Sequence, residues 1–219
     1  MSGRAGADGG PGRRAPGWAS RFPGFDVLAQ ASHWDPVTAG VVMARLTPPQ
    51  ALKFFTEPEA ACAAALLHQI TGQEGEPSIP VLHMVDARLA AGETDGWRYE
   101  DMPEDGQAWR QSLSHLDADA FLRCATTFAD APGAEQMAVL QSVRDLHPGD
   151  WHGLPAAHVW SLWTRYACTA FYSRPDAWAQ IGFPGPAYPR GYKNAGVGKL
   201  EPFEVHDTQP SDDPVRDDP

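Results

Sequence analysis

Apolar side chains recur every three or four residues through the middle of the chain, a spacing that places them on one face of an α-helix. Five stretches before residue 146 follow this pattern, and each predicts a separate helix. Their pattern residues are Cys62, Leu66 and Ile70; Val81, Val85 and Leu89; Trp109, Leu113 and Leu116; Phe121, Cys124 and Phe128; and Met137, Leu140 and Val143.

Polar residues and glycines indicate where these helices begin and end. Thr56 and Glu59 form a capping-box pattern at the start of the first helix. Gly72 and Gly92 follow the last apolar residues of the first two helices, where glycine commonly ends a helix. Asp117 is expected to cap the fourth helix.

The segment before this helical region is harder to assign. Asp35 followed by Pro36 predicts the start of a helical turn, with Asp35 as its cap. Residues 41–46 fit either a strand or a short helix, because their periodicity does not separate the two. The pair Pro48 and Pro49 ends the segment in either case.

Residues 151–192 hold four of the eight tryptophans and four of the five tyrosines. Residues 156–172 predict a helix that is apolar nearly all round and therefore buried on most sides. Ser173 is expected to cap a second, short helix that ends near Ile181.

Residues 182–192, here called the arm, are neither helical nor extended in pattern. They contain three prolines and three glycines, together with Phe183, Tyr188 and Tyr192. Because aromatic side chains are costly to leave in water, we expect an ordered arm and not a flexible linker. Such an arm lies either on the helices of its own chain or on another protein, and the sequence leaves both open.

Four motifs in this region and upstream carry a family resemblance. They are Phe54-Phe55-Thr56, the Phe171-Tyr172-Ser173 triplet with Pro175, the run IGFPGPAYPRGY at 181–192, and EPFEV at 201–205. Together they resemble the signatures of the gluconate 2-dehydrogenase subunit 3 family, over residues 54–205.

This resemblance implies that the chain is a non-catalytic subunit of a larger enzyme. Members of the family are small, cofactor-free, largely helical subunits that pair with a large FAD-dependent dehydrogenase of the glucose-methanol-choline type, acting on sugars or sugar acids. The resemblance therefore implies no cofactor in this chain, FAD in a partner, and a hetero-oligomer. Many members carry a twin-arginine export signal, but no apolar run follows Arg13 and Arg14. We therefore expect a cytoplasmic chain, exported only if its partner carries the signal.

The aromatic helix and the arm are the best candidates for the partner interface, since tyrosine, tryptophan and arginine concentrate at interface hot spots. Arg190 stands between Tyr188 and Tyr192, where its guanidinium can stack on rings and bind a carboxylate. Its alternative role is to hold the arm on its own helices. The candidate interface residues are Trp160, Trp163, Tyr166, Phe171, Tyr172, Phe183, Tyr188, Arg190, Tyr192 and Lys193.

Composition narrows the function further. A net charge of −11 argues against nucleic-acid binding, which needs clustered lysine and arginine. No apolar run is long enough to span a bilayer, so we expect no direct membrane insertion. The three cysteines, Cys62, Cys124 and Cys168, are too dispersed for a disulfide framework or a zinc site, and we expect buried free thiols.

Candidate catalytic and metal-binding groups are present but lack a recognisable arrangement. His147, His152 and His158 do not form an HExxH-like pair, and His83 with Asp86 fits a surface contact. Residues 95–105 are expected to form a polar loop that carries Trp97 and Tyr99. The cluster of four carboxylates in its second half is more typical of a solvated loop than of a paired-carboxylate site; they are Glu100, Asp101, Glu104 and Asp105.

These observations predict an all-α fold, an irregular bundle of five to six helices with an ordered arm. We expect a disordered segment at 1–20, one helical domain at 21–205 and a disordered acidic tail at 206–219. The function they favour is a non-catalytic small subunit of a flavoprotein dehydrogenase, without a metal or catalytic site. A free-standing helical binding module is the alternative, and an enzyme using the acidic loop and the histidines is a third hypothesis.

Overall fold

A computed structural model describes residues 22–47, 51–73, 79–194 and 196–208. Within those ranges the chain forms a 3₁₀ helix, seven α-helices and one pair of two-residue strands. The helices are the 3₁₀ helix Val27–His33, α1 Pro36–Ala44, α2 Glu57–Thr71, α3 Val81–Ala90, α4 Asp105–Cys124, α5 Gly133–Asp145, α6 Ala156–Tyr172 and α7 Pro175–Gln180. The all-α class is confirmed. The expected disordered head and nearly all of the expected tail lie outside the described residues.

Helix α6 is the centre of the main core. It packs against α2, α3, α4 and α5, so residues on most of its sides are buried. Trp163 is fully buried and donates its indole N–H to the Ser112 hydroxyl at 3.0 Å. Trp109 and Phe55 pack beside it in the same core. The prediction that this helix is buried on most sides is therefore confirmed.

The predicted helix starts are confirmed where a side chain supplies a hydrogen bond to the first turn. Glu59 accepts from the Thr56 N–H at 2.8 Å, which completes the capping box of α2. Asp35 accepts from the N–H groups of Val37 and Thr38 and caps α1. Residues 41–44 are therefore helical, which settles the alternative between helix and strand. The pair Pro48 and Pro49 lies outside the described residues.

The prediction of a separate fourth helix is wrong, because α4 runs without a break from Asp105 to Cys124. Asp117 lies inside it, and its carboxylate accepts instead from the N–H of Phe128, beyond the helix end, at 2.9 Å. Phe121 is exposed and Phe128 is buried in the loop that follows. The two predicted helices are one because no glycine or proline separates them. The apolar spacing from Phe121 to Phe128 instead crosses the end of α4.

Ser173 does not cap α7 as predicted. It closes α6, and its hydroxyl donates to the carbonyl of Ala170 at 2.8 Å. Arg174 takes the cap position, and its guanidinium binds Asp176 in the first turn at 2.7 Å. Arg174 therefore precedes the first turn of α7, because Ser173 already ends α6.

The 3₁₀ helix, α1 and α7 form a second, smaller apolar cluster of Val27, Trp34, Val42 and Trp178. The connection between α5 and α6 is a tight hairpin of two strands, β1 Asp150–Trp151 and β2 Leu154–Pro155, which pair antiparallel. The sequence pattern did not predict these strands, which are too short to show alternation.

The expectation of three buried thiols holds only for Cys62. Cys124 is half-buried at the end of α4 and Cys168 is exposed on α6. Burial, with Asp117 nearby, raises the pKa of the Cys62 thiol. In the described part of the chain, no helix combines the length and the apolar character that a membrane span requires.

Candidate partner-binding surface

The arm is ordered and lies on its own chain. Two of its glycines adopt positive φ and approach aromatic rings of the N-terminal segment closely. Gly182 faces Phe22, and at Gly185 (φ 78°) an added Cβ would lie 2.6 Å from the Trp34 ring. Glycine is required there because any side chain would meet the ring. These contacts place the arm beside the second cluster, which agrees with the predicted ordered arm.

Arg190 holds the arm to the 3₁₀ helix and to the C-terminal motif. One guanidinium nitrogen donates to the Gln30 side chain at 3.0 Å, and the guanidinium carbon lies 3.9 Å from the centre of the Phe203 ring. Its Nε and second terminal nitrogen are buried and have no hydrogen-bond partner within the described residues. The structure thus places Arg190 in the clamping role that the sequence left as an alternative.

The EPFEV motif closes the end of the arm. Glu201 is buried, and its carboxylate accepts from the backbone N–H groups of Lys193 and Asn194. Phe203 contacts Tyr192 with ring centres 5.9 Å apart. The two motifs of the resemblance therefore fold against each other, although several residues separate them in the chain.

Three of the ten predicted interface residues belong to the core and are corrections to that prediction. Trp163 and Tyr166 are 0% and 1% exposed, and Phe171 is buried as well. Helices α2, α3, α4 and α5 pack around α6, so the aromatic side chains that suggested an interface in the sequence fill the interior instead. Trp160 is partly buried against the same core.

The remaining predicted residues lie at the surface or half-buried. Tyr188 and Tyr192 are 67% and 62% exposed, Lys193 is exposed, and Arg190 is half-buried. Together the exposed apolar and aromatic side chains of this region form what we call the arm face. Its members are Tyr172, Ile181, Phe183, Tyr188 and Tyr192. Exposed tyrosine and phenylalanine side chains of this kind are common at protein interaction surfaces.

Helix α1 adds apolar surface that the sequence analysis did not assign to the interface. The helix carries no charged residue, and only Val42 is buried. Val37 is 76% exposed, and Val41 and Met43 are exposed beside it. The signal present in the sequence was the absence of any charged residue in 36–44, since an uncharged helix that is not buried on all sides exposes apolar residues. It was missed because helix and strand could not be separated there.

The end of α1, the end of α6 and the start of the arm meet around Trp178. Arg45 donates to the carbonyl of Ser173 at 3.2 Å, and its guanidinium lies 5.6 Å from the Trp178 ring centre. Trp178 donates its indole N–H to the Tyr172 carbonyl at 2.7 Å and contacts the Phe183 ring at 5.2 Å. Two members of the arm face, Tyr172 and Phe183, are thus held in place by contacts with Trp178.

The polar loop of residues 95–105 is held against α6 by its aromatic residues. Trp97 is exposed and lies 4.7 Å from the Arg165 guanidinium, while Tyr99 stacks on His158 at 3.6 Å. His158 also bonds Asp101 at 2.8 Å. Both aromatic side chains lie at the surface.

One carboxylate of this loop is not solvated. Asp105 is buried and accepts from the Tyr166 hydroxyl at 2.7 Å. Burial and the neighbouring carboxylate raise the pKa of Tyr166 above its usual value. Nearby, Asp95 pairs with Arg88 and Arg165. Burial alone would raise the pKa of Asp95, but the two guanidinium groups outweigh that effect and hold it low.

The expected His83–Asp86 surface contact is wrong, because Asp86 is 1% exposed. Its carboxylate accepts from three consecutive backbone N–H groups, those of Lys53, Phe54 and Phe55. The sequence spacing could not reveal this role, since the donors lie about thirty residues upstream. Asp86 therefore fixes the Phe54-Phe55-Thr56 motif ahead of α2.

Two further histidines, His115 and His152, form a local pair. His152 has positive φ in the hairpin turn, bonds Asp119 at 2.7 Å and stacks on His115. Burial lowers the pKa of His115 below its usual value, and the neighbouring His152 adds to this. Over the ranges that the structure describes, no three histidine, cysteine or acidic side chains come close enough to bind a metal ion.

Comparison with known protein families matches residues 57–185 to the family described as gluconate 2-dehydrogenase subunit 3. The match includes α2 through α7 and the first residues of the arm, which is more than half of the 219 residues. It begins after α1 and ends before Tyr188, so it is shorter than the 54–205 range of the resemblance. No curated protein and no solved structure gave a match. The family's description denotes one subunit of a dehydrogenase, and the chain belongs to this gluconate 2-dehydrogenase subunit 3 family.

Proposed function

We propose that this chain is a non-catalytic small subunit that binds and stabilises a large FAD-dependent dehydrogenase of the glucose-methanol-choline type. The partner would oxidise a sugar, a glycoside or a sugar acid, and would bind the FAD itself. The observation that supports this proposal most is the arm face, in a chain whose family is named for a dehydrogenase subunit. In this proposal the arm face is the main contact with the partner.

The construction of the arm face suits a preorganised interface. Its backbone is held by Arg190, Glu201 and the glycine contacts, while the rings of Tyr188 and Tyr192 point away from the core with most of their area exposed. A rigid base lowers the entropy lost when exposed aromatic side chains are buried by a partner. Tyrosine is also among the residues that most often carry binding energy at interfaces.

The test is co-expression with a candidate large FAD-dependent dehydrogenase of the glucose-methanol-choline type, followed by affinity purification through a tag on this chain. We expect the flavin absorbance bands to co-purify with the small chain. The unfolding midpoint of the small chain should also rise with flavoprotein concentration, because a partner that binds only the folded state stabilises it.

The double substitution Tyr188→Ser/Tyr192→Ser should weaken this binding by about tenfold to a hundredfold, the range for losing one or two hot-spot side chains. Leu122→Ser is the control, since Leu122 is an apolar residue on α4 that is even more exposed than the two tyrosines. A monodisperse monomer whose stability the flavoprotein does not change would refute the proposal and favour the free-standing binding module.

A further inference from the structure

An open groove runs along the outer surface between α3 and α6. Its first section has a volume of about 380 Å³, and its lining is mainly apolar. The two helices pack side by side, and the small side chains at this point leave the space between them unfilled. The residues that line this section include Met84, Val85, Ala87, Thr169, Ala170 and Ser173.

The groove continues towards the loop that carries Trp97. A second section of about 610 Å³ is lined by Phe54, Leu89, Trp97, Arg98, Glu104 and Asp105. Glu93 and Tyr166 line both sections, so the two are adjacent. We refer to both sections together as the α3–α6 groove. Because each is open to solvent along one side, the shape suits an extended polypeptide better than an enclosed small molecule.

The second section is acidic. Glu93, Glu104 and Asp105 line it against a single cation, Arg98, which leaves a formal charge of −2. Arg88 and Arg165 both pair with the single carboxylate of Asp95, so these three side chains add a net charge of +1 beside the section and bring the local sum to −1. Glu93 and Glu104 are exposed and have no ion-pair partner within the described residues. The groove therefore offers an apolar section followed by two available carboxylates.

The apolar end of the groove lies at the end of α6, next in sequence to one residue of the arm face. Ser173 lines that end, and its neighbour Tyr172 is a member of the arm face. Arg45 ties the same point to the end of α1 through the Ser173 carbonyl. A protein seated on the arm face could therefore extend a segment into the groove without leaving the surface of this chain.

We propose that the α3–α6 groove binds an extended segment of the flavoprotein partner, with an apolar side chain between Ala87 and Thr169 and a lysine or arginine at Glu93 and Glu104. This inference rests on the proposed function and adds a second contact to it. The apolar section supplies burial, and the two carboxylates select a basic residue in the partner.

Two variants of this chain test the groove in binding assays with the purified flavoprotein. Thr169→Trp fills the apolar section from an exposed position, and Glu93→Lys/Glu104→Lys reverses the charge of the second section. Each should weaken binding about tenfold or more, as expected for blocking a contact that excludes water. The matched controls are Gln141→Trp and Asp145→Lys, both exposed on α5, and they should leave affinity unchanged.

Two further measurements keep the proposal testable if a variant folds poorly. In the complex of the unmodified chain, amide hydrogen exchange should slow at residues 84–97 and 165–173. Raising the salt concentration from about 0.05 M to about 0.5 M should weaken binding of the unmodified chain more than binding of the double charge variant, because salt screens exposed charges.

The outcomes separate the two proposals. If the flavoprotein binds and Tyr188→Ser/Tyr192→Ser weakens it while both groove variants bind normally, the groove proposal is overturned and the proposed function stands. Unchanged hydrogen exchange along the groove in the complex would overturn it equally. Absence of any binding by the unmodified chain would overturn both.

Discussion

Replacing Asp86 by alanine should destabilise the fold more than any other single carboxylate deletion that we can identify in the structure. Its buried carboxylate accepts from the N–H groups of Lys53, Phe54 and Phe55 at 2.7, 2.9 and 2.9 Å. A hydrogen bond to a charged group contributes about 1.5–3 kcal/mol, and a buried donor left without a partner costs about 1–3 kcal/mol. Lys53 is exposed and Phe54 is half-buried, so water can replace part of the lost hydrogen bonding, and we expect a total loss of about 3–5 kcal/mol.

This loss would be a large fraction of the stability of an ordinary domain, about 5–15 kcal/mol. Urea unfolding followed by circular dichroism at constant pH measures it directly. Asp86→Asn should cost less, about 1–3 kcal/mol, because one amide oxygen still accepts from Phe54 and Phe55 while its NH₂ group opposes the Lys53 N–H.

Asp145→Ala is the control, since that carboxylate is exposed and pairs, among the residues that the structure describes, only with its neighbour Arg144. It should change the unfolding free energy by less than about 0.5 kcal/mol. A loss of under about 1 kcal/mol for Asp86→Ala would refute the assignment of this carboxylate as the anchor of the Phe54-Phe55 segment.

Three further predictions concern the arm and two titrating groups. Gly185→Ala puts a Cβ against Trp34 at a left-handed φ, so thermal unfolding should show a loss of about 2–4 kcal/mol; an unchanged midpoint would contradict the close packing of the arm. Tyr166→Phe should cost about 1–3 kcal/mol at neutral pH by leaving the Asp105 carboxylate without its donor. Burial raises the pKa of Tyr166 above 10.0, so the free energy that its neutral phenol contributes to folding is complete below pH 10 and is lost as pH rises further. Urea unfolding at increasing pH should therefore show a smaller alkaline loss of stability in Tyr166→Phe than in the unmodified chain. Burial lowers the pKa of His115 below 6.5, so the free energy that its neutral form contributes to folding is complete above pH 6.5 and is lost as pH falls. His115→Gln should therefore reduce the loss of stability below pH 6.5, measured by urea unfolding. An identical loss in the variant would exclude His115 as its source.

Short-range signals in the sequence were sufficient for much of the helical framework. The Thr56 and Glu59 capping box, the Asp35 cap and the bounds of α6 all depend on residues within four positions of each other. Such patterns carry the geometry of one helical turn, which is why they predicted helix starts correctly. The same reasoning failed at Asp117, where the missing information was the continuation of α4 past it.

Contacts between distant parts of the chain decided the rest. The sequence marked α6 as apolar nearly all round, but only the packing of the neighbouring helices determined that Trp163 and Tyr166 fill the core. Likewise, the composition of the arm predicted an ordered segment, while the position of Trp34 and Gln30 determined that it lies on its own chain and leaves Tyr188 exposed. Periodicity records which residues share a face, and the surface that covers that face is set by long-range contacts that no local pattern contains.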